Sequence, residues 1–435
     1  MYICTLIKKN INIMRNLIYK SMLLSLAIFV FSCDSDDEDN NMVDPIVAPS
    51  SYDFTRDGET SVIYSGQTTR LAQSEQLYDA LNALTSVEDL DMMFNGGSDG
   101  NSAGFADDPS GIELNGTSKK IGNKTSSSTL RGDAILKSQF DAWITEYATD
   151  VAPAVANGDE FVPMTAAPGA LGGYQLNAMG QELDQLFFKS LIGAFTLDQI
   201  VNNYIHPNQL DSGSRIDDND NDVLSGDNNY TDMEHKWDEG FGYLYGRYDE
   251  DLDTAGSQPS GATDLLMKYF KKVNDNFEPG IADEVYNAFI AGRTAIVNKD
   301  YNERDAQADI IQVALSKVIG YYAIYYMNDY AAKLTSGNIA GAHHSLSEAW
   351  GFLFSLMYTN DGNDEIFMID GGVPTLAHFL GVDLIPGAPE YMSNFHTMQP
   401  IYLTAPYNES NPGQSGMIAL VKKAFADKGV TLNID

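Results

Sequence analysis

The sequence predicts an all-α protein made of two pseudo-symmetric helical bundles, with long loops and a disordered N-terminal tether. Three observations carry that expectation. Apolar residues recur at helical spacing along most of the chain, alternating strand-like patterns are almost absent, and one helical motif occurs twice.

The N-terminus reads as an export signal. Arg15 and Lys20 precede an apolar run from Met22 to Ser32, a charged region followed by a short hydrophobic core. A membrane-spanning helix needs about 20 apolar residues, more than this run supplies. Met14 opens a better signal than Met1 does. The run ends at Val30-Phe31-Ser32-Cys33, a small residue before a cysteine, which resembles a lipobox. Residues 1–32 are therefore expected to be removed and Cys33 to be lipidated, anchoring the chain to the membrane. Cys4 and Cys33 are the two cysteines of the chain. That excludes disulfides, iron–sulfur clusters, thiolate zinc and a cysteine nucleophile from the mature part.

Residues 33–66 follow as an acidic tether and irregular lead-in. Asp34–Asn41 is too charged to pack. An acidic patch directly after a lipidated cysteine resembles the signal that sends some lipoproteins to the outer surface. The expected location is the cell envelope, as an outer-membrane lipoprotein facing either leaflet. Within the lead-in, Tyr52, Phe54, Val62 and Tyr64 with turn residues between them suggest a short stretch, either irregular or β. The net charge is −35, from 26 basic and 61 acidic residues. Such a surface repels phosphate backbones, so no nucleic-acid partner is expected.

Leu71, Leu77, Leu81 and Leu84 recur at helical spacing from Gln67 onward. A polar loop at 94–131 follows, longer than compact domains usually carry without a purpose. Helical periodicity resumes at Ala134–Ala152 and Tyr174–Tyr204. A second polar loop spans Asn208–Asn229, and helices are expected near 231–247, 262–275, 281–298, 303–334, 340–357 and 414–427. The first bundle is placed at 67–260 and the second at 261–435.

The duplicated motif is the strongest signal. His235-Lys-Trp-Asp-Glu239-Gly-Phe-Gly242-Tyr-Leu-Tyr245 matches His344-Ser-Leu-Ser-Glu348-Ala-Trp-Gly351-Phe-Leu-Phe354. Upstream, Lys189–Gly193 corresponds to Ser316–Gly320, and Asn202–Tyr204 to Asn328–Tyr330. The longer spacing in the first copy is accounted for by the acidic loop at 208–229. On a helix, positions i, i+4, i+7 and i+11 share a face. The two stripes are His235, Glu239, Gly242, Gly246 and His344, Glu348, Gly351, Ser355. Each puts a His–Glu pair one turn from small residues that let another helix approach. Trp237, Phe241, Tyr245, Trp350 and Phe354 point elsewhere and are expected in the core.

The polar pairs have two readings. One is a ligand or metal site formed by His235, Glu239, His344 and Glu348 with Asp238 beside them, since carboxylate-plus-imidazole sets in bundle cores hold first-row metals. The other is a buried hydrogen bond that fixes helix register.

At these residues the chain resembles the imelysin-like family, envelope proteins associated with iron uptake. Their fold is two similar helical bundles and their signature a G-x-H-x-x-E helix. The segments Ser61–Leu71 and Glu234–Gly246 look closer still to a branch of such lipoproteins with no established activity. The resemblance implies binding of iron, haem or another metal species, or help to an outer-membrane transporter. The match is approximate. Met233 and Ala342 stand where the signature has Gly, and the motif acids lie at i+4. No H-E-x-x-H helix or G-x-S-x-G elbow is present, so the residues lend no support to a peptidase, and a metallohydrolase ranks below the non-enzymatic readings.

Three weaker signals remain. Asp218, Asp220 and Asp222 resemble the start of a calcium loop, but Val223 and Asn229 occupy its Gly and Glu positions. Asn360–Glu365 is similar and weaker still. His343 is expected at the surface, His206, His378 and His396 in structural roles, and the tyrosines of Gly320–Met327 in the core. The alternative function is glycan or peptide binding, motivated by 24 Tyr and 11% aromatic content.

Overall fold

The computed structural model describes residues 46–162, 167–247, 265–367, 400–410 and 415–435. The signal segment, Cys33, the acidic tether, His378 and His396 lie outside them.

The described chain is mostly helical, with two small hairpins. In the lead-in, β1 (Thr55–Arg56) and β2 (Glu59–Thr60) pair antiparallel, Thr55 opposite Thr60 and Arg56 opposite Glu59. Asp57 and Gly58 between them both have positive φ, 55° and 84°, as a tight two-residue hairpin turn demands.

Helix α1 (Ser65–Ala80) follows, then α2 (Val87–Asn95), capped by Ser86. The polar loop from Gly96 onward is tied down rather than free. The Gln73 side chain of α1 donates to the carbonyls of Leu114 and Lys119. Helix α3 begins at Ala134–Glu146 and runs through a π turn, Tyr147–Val151, into Ala152–Ala156.

Helical periodicity alone misplaces the next start. β3 (Gly169–Leu171) and β4 (Tyr174–Leu176) form a second hairpin, turned by Gly172 and Gly173 at φ 58° and 96°. Helix α4 therefore opens at Leu183, not Tyr174. It runs as Leu183–Leu191 and continues through two π segments, Ile192–Leu197 and Ile200–Tyr204. The acidic loop holds two short helices, α5 (Pro207–Leu210) and α6 (Arg215–Asp220).

The motif helices are α7 (Asp232–Tyr245) and α11 (Ile339–Ser355). Thr231 and Glu234 form a reciprocal capping box that sets the first turn of α7. Between the motif helices lie α8 (Leu266–Asn276), α9 (Ile281–Val297) and α10 (Tyr301–Thr335). The chain ends with α12 (Pro400–Thr404) and α13 (Met417–Asp427). By length and composition α10 could cross a membrane, yet 78% of its most apolar window is buried inside the fold. The tyrosines at 321, 322 and 326 are core residues, as expected, while Tyr325 is exposed.

Helix packing crosses the 260/261 boundary drawn from the sequence: α4 lies against α11, and α7 against α9. The small residues of both motif stripes explain two close approaches. A Cβ on Gly242 would collide with the Tyr64 side chain at the start of α1, and one on Gly351 with Lys189 and the backbone of α4. Ser355 completes the second stripe by donating to the Lys189 carbonyl at 2.6 Å and accepting from the Gly193 amide at 3.0 Å. Trp237, Phe241, Tyr245, Trp350 and Phe354 are all buried.

Candidate functional site

Each motif helix carries a local polar assembly, and the two are alike. In both, the histidine lies flat on a tyrosine from a preceding segment. Tyr230 stacks on His235 with ring centroids 4.7 Å apart, and Tyr174 stacks on His344 at 4.7 Å. In both, the histidine approaches its i+4 acid. His235 Nε2 is 3.9 Å from Glu239, and His344 Nε2 is 3.3 Å from Glu348. In both, the acid meets an ammonium group: Lys236 at 2.6 Å from Glu239, and Lys189 at 3.6 Å from Glu348.

Around Glu239, Gln67 of α1 donates to the carboxylate at 2.9 Å. The ammonium groups of Lys124 and Lys236 lie over the Tyr204 ring, 5.0 and 5.7 Å from its centroid. Lys124 is brought down to about 8 by burial, then by repulsion from Arg70, Lys236 and Lys119. Burial works against the Glu239 carboxylate, but Lys236 and His235 outweigh it and hold it below its usual range. Burial lowers His235, so it stays neutral at physiological pH. The Tyr204 and Tyr243 hydroxyls are pushed well up by burial.

Around Glu348 a second acid enters. Glu182, the residue before α4, accepts from His344 Nδ1 at 2.6 Å, so the imidazole bridges two carboxylates. Burial opposes the charged ring, but Glu182 and Glu348 together raise His344 above its usual value. Burial also raises Glu182, and lifts the enclosed Asp184 to about 7. Lys189, Lys268 and Lys272 all lie over Tyr269, and Lys268 is lowered to about 8 by burial first and by the other two lysines next.

The two pairs share no partner among the described residues. His235 and Glu239 work with Tyr230, Lys236 and Gln67; His344 and Glu348 work with Tyr174, Glu182 and Lys189. Among the described residues, no group of three or more His, Cys, Asp or Glu is arranged to hold a metal ion. At His344 the reason is plain: its two acids sit on different ring nitrogens, which point away from each other, so their oxygens do not face one point.

Asp238 has a separate task. It is fully buried, accepts from Arg293 Nε at 3.0 Å and from the Tyr52 hydroxyl at 2.7 Å, and is raised to about 6 by burial. Arg293 also donates to Glu234 at 2.9 Å, which in turn pairs with Arg56 of the hairpin. Tyr52 stacks on Phe241 with centroids 3.7 Å apart. This buried network straps the lead-in across α7.

His343 is not at the surface. It is buried, and its Nδ1 donates to the Gly180 carbonyl at 2.8 Å. Helix α11 is covered on that side by the turn leading into α4, so the face 100° from the motif stripe is enclosed too. His206 caps α5 by accepting the Asn208 amide on Nδ1, and its Nε2 donates to Asp364 at 2.7 Å.

The calcium-like aspartates are spread over α6 and its exit. Asp218 accepts from Ser214, Asp220 from Tyr301 at 2.6 Å, and Asp222 pairs with Lys299 at 3.1 Å. They serve a side-chain contact within α6 and contacts to the α9–α10 connection.

Pattern reading from the sequence alone did not single out Glu182, Arg70, Lys124, Tyr174 or Tyr230. Lys189 did appear there, within the upstream repeat. Tyr230 lies five residues before its histidine and could have been noticed. Glu182, Tyr174, Arg70 and Lys124 reach the motif helices only through tertiary packing.

Fold and site define a mostly helical protein with two matching polar assemblies on duplicated helices. The chain belongs to the family described as a domain of unknown function, DUF4856, whose model matches residues 49–378. The match begins at the lead-in strap and takes in both motif helices. No curated protein and no solved structure matches the chain.

Proposed function

We propose that this protein is a lipid-anchored, non-enzymatic binding protein of the cell envelope, imelysin-like in kind. It takes up iron, haem or another metal species at two like sites, or hands it to an outer-membrane transporter. The carrying observation is the doubled assembly: a stacked histidine, its i+4 glutamate and a lysine on that glutamate, each within reach of solvent. The histidine side chains are 22% and 23% exposed. The same assembly on both motif helices also supports a pseudo-twofold relation between two bundles. In this reading Cys33 carries the lipid and the acidic segment after it spaces the fold from an outer-membrane surface.

The lysines shape the metal role. A bare divalent cation placed beside Glu239 or Glu348 would face ammonium groups already seated there, which repel it. A metal wrapped in an anionic ligand, such as haem with its propionates or a ferric carboxylate chelate, suits these surroundings better. Glycan or peptide binding draws less support: Trp143, Trp237 and Trp350 are all buried, so no tryptophan offers a stacking platform.

The test is titration of the mature chain with haemin, a ferric chelate and free divalent cations, followed by absorbance and melting temperature. Binding should weaken in His235→Ala/Glu239→Gln and in His344→Ala/Glu348→Gln. Binding of none of them, or undiminished binding in both double variants, would overturn the reading.

A further inference from the structure

The cations around Glu239 are out of balance with the rest of the molecule. The chain has 61 acidic and 26 basic residues, so most cations have carboxylates to spare. Here Arg70, Lys119, Lys124 and Lys236 gather near one carboxylate, Glu239. That carboxylate is already taken up by Lys236 and Gln67. Arg70 is buried, yet its guanidinium donates to the neutral carbonyls of Lys120 and Gly66. Among the described residues, Arg70, Lys119 and Lys124 form no ion pair. Holding several like charges together in a partly buried place costs stability, and an acidic chain that leaves them unneutralised there has room for a counter-charge from outside.

A further atom has unmet hydrogen-bonding capacity at the same place. The Tyr243 hydroxyl is buried without a hydrogen-bond partner of normal geometry. A buried polar atom of this kind calls for an explanation such as a bound ligand. Tyr243 lies on α7 one turn beyond Glu239, with Arg70 and Glu239 as its charged neighbours. Its hydroxyl can donate to an oxygen held by the guanidinium. The cations come from three separate elements: Arg70 from α1, Lys119 and Lys124 from the long polar loop, and Lys236 from α7. That gives the loop at 94–131 a task beyond covering α1.

We propose that the cluster of Arg70, Lys119, Lys124 and Lys236 beside Glu239 binds a small oxyanion carrying two or more negative charges, of phosphate or polycarboxylate chemistry. The inference rests on the reading of the motif helices as ligand sites and names the ligand class for the first of them. Arginine and lysine donors recognise such oxygens through short charge-assisted hydrogen bonds. The Glu348 assembly is not part of the proposal, because there Lys189 is paired with Glu348 and a second acid, Glu182, adds negative charge.

The test uses iron-free inorganic phosphate and iron-free citrate, titrated into the mature chain by calorimetry in low-salt buffer, with melting temperature followed in parallel. One site per chain is expected, with Lys124→Gln weakening binding by about tenfold or more, the usual cost of losing one partner of a buried charge-assisted contact. Lys119→Gln serves as a second variant in case Lys124→Gln is poorly folded, and Lys271→Gln, whose ammonium pairs with Asp275 away from both assemblies, should leave affinity unchanged. Binding of one anion only would sustain the proposal and choose between phosphate and polycarboxylate. Binding of neither, or undiminished affinity in both Lys124→Gln and Lys119→Gln, would overturn it. Anion binding without haem or chelate binding would keep this inference and remove the metal-uptake reading; the reverse result would do the opposite.

Discussion

The two motif helices differ most on the face beside their shared stripe. In α7 the positions just before His235 and Glu239 are Glu234 and Asp238; in α11 the matching positions before His344 and Glu348 are His343 and Ser347. All four side chains are buried. In α7 they form an ion network around Arg293 that straps the lead-in through Arg56 and Tyr52. In α11 they bind backbone instead: His343 holds the Gly180 carbonyl and Ser347 accepts the Glu182 amide at 2.9 Å. The helical frame is thus common to both, while neighbouring positions decide what each helix holds in place. The contrast extends to charge. Glu182 is pinned by Ser347, and it is the acid that makes His344 easier to protonate, whereas among the described residues Glu239 is the one acid paired with His235.

The largest effect is expected on the α7 side. Arg293→Met leaves Glu234 and Asp238 buried without their main counter-charge, and removing one partner of a buried ion pair costs about 3–5 kcal/mol. Its counterpart, His343→Ala, removes the hydrogen bond to the Gly180 carbonyl and an edge contact with Phe161 and should cost about 1–3 kcal/mol. Urea unfolding of both variants checks the ranking, and equal losses would break the contrast between an ionic and a backbone-bound face.

Overpacking comes next. Gly351→Ala pushes a methyl group into the backbone of α4 as well as Lys189, while Gly242→Ala meets the Tyr64 side chain and Gln67 Cβ. Overpacking of this sort costs about 1–3 kcal/mol. Gly351→Ala should lie at the upper end, because helix backbone yields less than an aromatic ring. Melting temperatures that order the two the other way would show that α1 is held more firmly than α4.

A subtler effect is the opposite pH response of the two histidines. His344 is raised above 6.5 in the fold, so it contributes stability that is full below 6.5 and fades as pH rises through its higher folded value. His235 is lowered, so it costs stability as pH falls below 6.5 toward its lower folded value. Imidazole titration by NMR should find His344 above His235, and Glu182→Gln should bring His344 down. An unchanged His344 in that variant would remove Glu182 as the cause.

A second pH response belongs to Asp184. Burial raises its carboxyl from 3.8 to about 7, so its contribution declines as pH climbs through that window. Asp184→Asn should flatten the fall in melting temperature between pH 4 and 7.

Much of the fold was legible in the sequence because helical periodicity is a local property. The long helices at 301–335 and 339–355 appear within a few residues of their expected ends. Tyr174–Leu176 was misread because β4 has apolar residues that fit a helical pattern, and only the paired glycines before it mark a hairpin. His343 was misplaced for a related reason. A helical wheel gives its angle from the motif stripe, but not that the Gly180 turn would cover it.

The sequence by itself determined which residues share a helix face, since that follows from 3.6 residues per turn. It thereby brought His235 to Glu239, His344 to Glu348, and small residues to the points of close helix approach. Tertiary structure alone decided what surrounds each pair. Arg70, Lys124 and Tyr204 reach Glu239 from three different elements, and Glu182 reaches His344 from a turn more than 160 residues earlier. Burial and neighbouring charge act through space, so the same two residue types lie among unpaired cations on one helix and between two acids on the other.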